Sequence, residues 1–201
     1  YPRVTDLFGN TDCQATGTPS PQEMALLEPW RGKVPDAVFG PMYQPPVTEG
    51  EGHSLRDNLR RARQLLADAG WTYRDGALRN AQGQPMVLEY LDSKEGGTRT
   101  ITPWMRNLEK LGITLRFAAV DFALYMQRMD KFDFDIISRA LGGSAIPSVS
   151  LRIVYGSEAA KTRGSRNSGG ISDPAIDAMI ERIGQADTYA EVVTAAKCLD
   201  R

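Results

Sequence analysis

Histidine occurs once in this chain, at His53, and cysteine twice, at Cys13 and Cys198. One imidazole and two thiols near opposite ends do not make a zinc site, whose ligands come mostly from these residue types. An excess of one charge is also missing. The 24 basic and 25 acidic residues are well mixed, for a net charge of −1, so the basic face of a nucleic-acid-binding protein is not expected. No apolar run approaches the roughly 20 residues that a membrane-spanning helix requires. Gly-x-Ser-x-Gly is absent, and with it the nucleophile elbow that would give His53 a serine partner. His53 reads as an exposed loop histidine. Gly164-Ser165-Arg166-Asn167-Ser168-Gly169-Gly170 has the look of a phosphate cradle, but no Lys-Ser/Thr follows it and loop is the better reading. No internal repeat is visible, nothing calls for a cofactor, and catalysis has no positive support.

The chain starts Tyr1-Pro2-Arg3, with no Met, basic stretch or apolar stretch of a signal peptide, and stops at Lys197-Cys198-Leu199-Asp200-Arg201 with a helical pattern still running. The expectation is a piece of a longer polypeptide. With 201 residues and 41% hydrophobic content, that piece has enough apolar mass for one substantial core and one domain. Cys13 and Cys198 are expected as two unpaired thiols; a bridge between them is the alternative, since the ends of an inserted domain tend to approach.

What is present is an orderly alternation from Ser54 to Ile137. Ser54 and Asp57 make a capping box, and Leu55, Leu59, Ala62, Leu65, Leu66 and Ala69 keep helical spacing until Gly70 stops the helix and Trp71 folds back. Asp75-Gly76 and Gln82-Gly83-Gln84 are turn chemistry around a short polar hairpin. Met86–Leu91 reads as a strand. Thr102-Pro103 opens a helix ended by Gly112, and Ile113, Leu115 and Phe117 alternate as a strand does. Asp121 caps a helix bearing Phe122, Tyr125, Met126 and Met129, and Phe134–Leu141 returns to strand. Helices alternating with short β-rich runs imply parallel strands covered by helices, and such sheets bind ligands beyond the carboxyl ends of their strands. Gly142, Gly143 and Ser144 follow the third strand at that place.

Outside this block, Ser20-Pro21-Gln22-Glu23 is a capping box opening a short helix that stops near Pro29. Pro35, Pro41, Pro45 and Pro46 exclude regular helix over most of residues 32–52. An ordered loop anchored by Val38, Phe39, Met42 and Tyr43 is expected there. Ser172-Asp173-Pro174 starts a helix with Ile176, Met179, Ile180 and Ile183 inward, and a last helix from about Tyr189 carries Val192, Val193, Ala196 and Leu199 on one side.

Three features invite a chemical reading. Asp130, Asp133 and Asp135 lack the Gly and distal Glu of a calcium loop, so strand alternation accounts for them. The stripe of Phe122, Tyr125, Met126 and Met129 is most simply core packing, with the wall of a pocket as the other reading. Arg139 stands in a run destined for burial, and either pairs with a carboxylate such as Asp121 or faces a cleft.

Leu-Arg-x-Asn-Leu-Arg-x-Ala-x-x-Leu-Leu-x-x-Ala-Gly-Trp (Leu55 to Trp71), Asn107-Leu-x-x-Leu-Gly-Ile113, Val120-Asp121 and Phe132-Asp-Phe-Asp135 resemble family 5 extracellular solute-binding proteins. Pro21-x-Glu-x-Ala-Leu-Leu-Glu28, Gly164-Ser-Arg-Asn167 and Gly170-Ile-x-Asp-Pro-Ala-Ile-Asp177 extend the resemblance over nearly the whole chain, toward the branch that takes up oligopeptides and microcin C-like conjugates. The resemblance implies an exported, periplasmic receptor of an ABC importer, in which two lobes close on a peptide-like ligand without bond chemistry. It implies that residues 1–201 are the second lobe, an α/β periplasmic-binding-protein-like (type II) lobe with a mixed sheet and flanking helices. Residues 1–52 would be an irregular Pro/Gly-rich covering segment within that lobe. The missing first lobe, a membrane permease and the solute are the implied partners.

In oligopeptide receptors the loop after the third strand touches the peptide backbone and holds an aspartate for its amino terminus. Here Gly142, Gly143 and Ser144 stand in that place, with Leu141 where some relatives have Trp. Phe122 matches another ligand-facing aromatic, and Pro147-Ser-Val-Ser-Leu-Arg152 replaces a usual Pro-Gly-x-Glu-Leu-Arg. The implied ligand-binding set is Phe122, Arg139, Leu141, Gly142, Gly143, Ser144 and Arg152. A small hydrolase using His53 and a lobe that mainly docks on a membrane partner are the alternatives.

Overall fold

A computed structural model describes residues 7–48, 53–93, 97–139 and 146–201, and the chain divides into two compact units, residues 46–140 and residues 1–45 with 141–201.

The middle unit holds the alternation. Helix α2 (Leu55–Asp68) is capped by Ser54, whose Oγ accepts from the Asp57 amide at 3.2 Å. Gly70 ends it at φ +85°, and the Trp71 amide reaches back to the Leu66 carbonyl at 2.9 Å, the Schellman-type stop that only a left-handed residue permits. Strands β1 (Thr72–Arg74) and β2 (Ala77–Arg79) form the expected hairpin, antiparallel around Asp75-Gly76, both with positive φ. Strands β3 (Val87–Asp92) and β4 (Thr114–Ala119) pair in parallel, with Tyr90 opposite Phe117. Those two rings stack at 5.7 Å between centroids.

Helix α3 (Thr98–Glu109), which crosses between them, begins a turn earlier than Thr102-Pro103 suggested and carries Pro103 inside it. The proline, expected at the start of the helix, lies within it. Gly112 stops the chain at φ +81°, where a methyl group would meet the Leu78 amide nitrogen at 2.6 Å and the Tyr73 ring at 2.7 Å. The glycine serves both the turn and the close approach of the hairpin. Two apolar clusters lie on this framework, one around Leu78, Leu111 and Ile113, the other around Tyr90, Ile101 and Leu115.

The expected third strand is reduced to one parallel bridge, Tyr90 with Ile136, among the described residues. The Glu89 amide, which a continued ladder would pair with a backbone carbonyl, donates to Asp135 Oδ2 at 2.8 Å. A side chain has taken the place of a strand residue. Just before it Phe132 sits at φ +56°, a conformation no strand uses.

In the other unit, α1 (Pro21–Leu27) starts at Ser20, which accepts from the Glu23 amide, and gives way to a short 3-10 turn over Glu28–Trp30. The capping box there is half made, because the Glu23 carboxylate pairs with Arg201. Val38 and Phe39 anchor the proline-rich loop as expected, whereas Tyr43 is 64% exposed. Arg152–Tyr155 (α5) and Ser157–Lys161 (α6) are short helices that precede the Gly164–Gly170 loop. Helices α7 (Pro174–Gly184) and α8 (Tyr189–Asp200) fall where the pattern put them, α8 with a complete capping box between Thr188 and Glu191. Cys13 and Cys198 are free, buried thiols in different clusters.

Buried polar groups stitch this unit. Asn167, 1% exposed, donates to the Gly156 and Ile171 carbonyls at 3.1 and 2.8 Å and accepts from the Ile171 amide at 2.9 Å. Asp200 accepts from the Leu7 and Ala15 amides at 2.7 and 2.9 Å.

Candidate functional site

The parallel pair directs attention to its carboxyl edge, where β3 ends at Asp92 and β4 runs through Val120-Asp121 into α4 (Phe122–Asp130). The Val120 amide donates to the Asp92 carbonyl at 3.0 Å, and Asp121 Oδ1 accepts from the Leu124 amide at 3.0 Å. These bonds fix where α4 starts, and so where its side chains project.

Phe122, read from sequence as core, is 67% exposed, Leu124 and Met126 are exposed as well, and no residue of α4 is buried. The helical spacing was correct but the burial was not. Phe122 and Met126 of the stripe are exposed and Tyr125 and Met129 half-buried, with the Phe122 and Tyr125 rings stacked at 6.5 Å. An exposed apolar face of this kind marks an interaction surface more often than a folding core.

The far end of α4 is held firmly. Arg128 Nη2 donates to Glu89 Oε1 at 2.6 Å, and its Nε donates to the Asp133 carbonyl and carboxylate, both at 3.1 Å. Glu89 beside it pushes the guanidinium pKa above its ordinary value. Asp133 is thereby committed to the turn and Asp135 to the Glu89 amide, and no metal-binding group of His, Cys, Asp or Glu occurs among the described residues.

Beside this edge lies a concavity of about 500 Å³ whose lining includes Tyr90, Asp92, Thr100, Trp104, Ile137 and Ser138. Trp104 is 42% exposed. Tyr125 feels the same surroundings: burial raises its phenol pKa, the charge of Asp92 raises it further, and Arg139 opposes both. Arg139 is exposed. The burial expected of the run around it fails, because that segment is not a strand.

Phe122 and Arg139 are thus both associated with Tyr125 at the carboxyl edge. Leu141, Gly142, Gly143 and Ser144 lie outside the described residues. Arg152 belongs to the other compact unit, where its guanidinium pairs with Glu181. His53 is exposed at the approach to α2. Sequence reasoning passed over Asp92, Thr100 and Trp104. The available signal was a carboxylate closing an apolar strand, since that is where an open parallel pair meets its ligand.

Residues 4–162 match the profile of the middle segment of the bacterial extracellular solute-binding proteins, family 5. A probable peptide-binding protein YejA of Agrobacterium fabrum is 36% identical over 202 residues, covering 100% of this chain and 33% of that protein. The chain therefore spans about a third of the length of the curated relatives it matches. Among solved structures, a periplasmic oligopeptide-binding protein of Thermotoga maritima with bound mannohexaose superposes with a TM-score of 0.61 at 17% identity, over 94% of this chain and 37% of that one. The oligopeptide-binding protein AppA of Bacillus subtilis, in complex with a nonapeptide, gives 0.60 at 14% identity, over 96% and 39%. The fold is that of the type II periplasmic binding proteins.

Proposed function

Since the chain belongs to the family 5 bacterial extracellular solute-binding proteins, a family of binding proteins outside the cytoplasm, we propose that it is the second lobe of a receptor that captures a peptide-like solute for an ABC importer. Residues 1–201 supply one jaw, with residues 1–52 as its covering segment, and the rest of the polypeptide supplies the other. The receptor works in the periplasm and hands its ligand to a membrane permease. It performs no bond chemistry.

The observation that carries this reading is the outward face of α4 beside the concavity at the carboxyl edge of β3 and β4. An aromatic surface left open in one lobe is what a ligand and a second lobe would cover together. A ligand favours the closed receptor only as far as it binds that form more tightly than the open one. Phe122, Arg139 and Arg152 act from this lobe, with Leu141, Gly142, Gly143 and Ser144 as further ligand contacts, and an extended ligand held by main-chain hydrogen bonds is bound with little dependence on its side chains.

Native mass spectrometry of the full-length receptor purified from cells is the direct test. A retained peptide supports capture. A receptor that stays empty against a peptide library, yet binds its permease, would turn the reading toward a docking lobe.

A further inference from the structure

We propose that Arg128 is a positioning residue for the ligand face: its bonds to Glu89 and Asp133 hold α4 in one orientation on β3, and so fix where Phe122 and Tyr125 present their rings to the captured solute. The proposal deepens the capture reading and rests on it.

A helix usually takes its place from a buried apolar stripe. Helix α4 has none. None of its residues is buried, and none belongs to the four apolar clusters among the described residues. Polar ties at its two ends hold it instead. At the start, the Val120 amide donates to the Asp92 carbonyl at 3.0 Å, which sets the chain just ahead of the helix. At the finish, the Arg128 side chain, only 20% exposed, reaches two carboxylates, Glu89 Oε1 at 2.6 Å and Asp133 Oδ2 at 3.1 Å, and the Asp133 carbonyl as well. The turn that follows returns Asp133 to that position, with Phe132 at φ +56° and the Asp133 amide donating to the Arg128 carbonyl at 2.9 Å. Glu89 lies inside β3 and is held from two sides, its amide on Asp135 Oδ2 and its carboxylate on Arg128. The clamp therefore ties helix to sheet.

A helix tied at its start alone can tilt and roll about that point, and a second tie removes both freedoms. Tyr125 and Arg128 stand three residues apart, on one helix face. What fixes the roll at Arg128 thus fixes it at Tyr125, against which Phe122 stacks at 6.5 Å. The planar guanidinium matters here, because a lysine is a point charge that cannot fork to two carboxylates.

The full-length receptor is prepared with 4-fluorophenylalanine at position 122 and titrated with a dye-labelled pool of random nonapeptides. Arg128→Met should shift or split the fluorine resonance of the free receptor and lower affinity for the pool about tenfold. Arg128→Lys should shift the resonance less, and it carries the test if the methionine variant does not fold. Combined with Phe122→Ala, Arg128→Met should add little further loss of affinity, because both act on one pair of rings. A resonance unchanged in the Arg128 variants shows that α4 keeps its place without the clamp and overturns the proposal. So does a loss of affinity that simply adds to that of Phe122→Ala. A parent receptor that binds none of the pool removes the capture reading instead, and the two failures are told apart because the resonance is read without ligand.

Discussion

Arg201 donates from Nε to Glu23 Oε2 at 2.8 Å, joining the end of α8 to the first turn of α1 with both side chains almost fully buried. The same guanidinium donates to the carbonyls of Thr16, Gly17 and Gly40. One cation therefore closes two loop segments around two helix ends. Removing one partner of such a pair strands the other in a low-dielectric interior. Glu23→Ala should cost about 3–5 kcal/mol in urea denaturation, and Glu23→Leu combined with Arg201→Met should recover much of that. A single variant as stable as the parent would show that the pair is open to solvent.

Asn167 tests whether a family motif is structural. Its amide satisfies two carbonyls and one amide of the loop running from Gly156 to Ile171. Asn167→Ala should lower stability by about 2–4 kcal/mol, as two or more buried backbone groups lose their partner. Binding by the full-length receptor should change little where folding is retained.

Gly112 and Gly70 form a matched pair. Both adopt left-handed φ, but a methyl group meets backbone and ring atoms at Gly112 and nothing within 4 Å at Gly70. Gly70→Ala should cost about 1 kcal/mol, the price of the left-handed conformation alone. Gly112→Ala should cost clearly more, in the range of about 2–4 kcal/mol, from added overpacking. Equal thermal shifts in the two variants would contradict the packing assigned to Gly112.

Cys198 has a pH signature. Burial, with Glu23 adding and Arg201 subtracting, pushes its thiol from 9.0 to about 12. The unfolded thiol loses its proton first, so this stabilising contribution is complete below about pH 9 and is lost as the pH rises toward about 12. Cys198→Ala should flatten the alkaline fall in stability over that window. Burial also raises the Cys13 thiol, so neither cysteine should be alkylated at pH 8 before the protein unfolds.

Phe122 separates binding from folding. At 67% exposure, its replacement by Ala should move stability by no more than about 0.5 kcal/mol. In the full-length receptor the same change should weaken ligand binding several-fold. A large drop in melting temperature would show the ring to be part of the core.

Much of the framework was legible because it rests on short-range rules. The Ser54 and Asp173 caps, the Gly70 and Gly112 stops, the Asp75-Gly76 turn and the register of α7 and α8 each depend on residues within a turn or two. So do the motifs that carry the family resemblance. Leu55 to Trp71 builds a helix and its stop, Phe132 to Asp135 builds a turn clamped by Arg128, and Gly164 to Asn167 builds a loop sewn by one amide. These motifs identify the family through its scaffold, and they do not name the ligand.

What the chain alone determined is the order and kind of most elements, since capping, spacing and turn chemistry act over a few bonds. Tertiary structure decided the rest. It left Phe122 and Met126 exposed, because helical spacing defines a face without saying what covers it. Among the described residues it kept the third strand from pairing ahead of the Ile136 bridge, because the carboxylate of Asp135 takes the Glu89 amide. It also brought Asp92 at the end of β3 and Trp104 on the α3 crossover to a single concavity with Ile136 and Ile137, a juxtaposition that the parallel pairing of β3 and β4 and the bridge to Ile136 create.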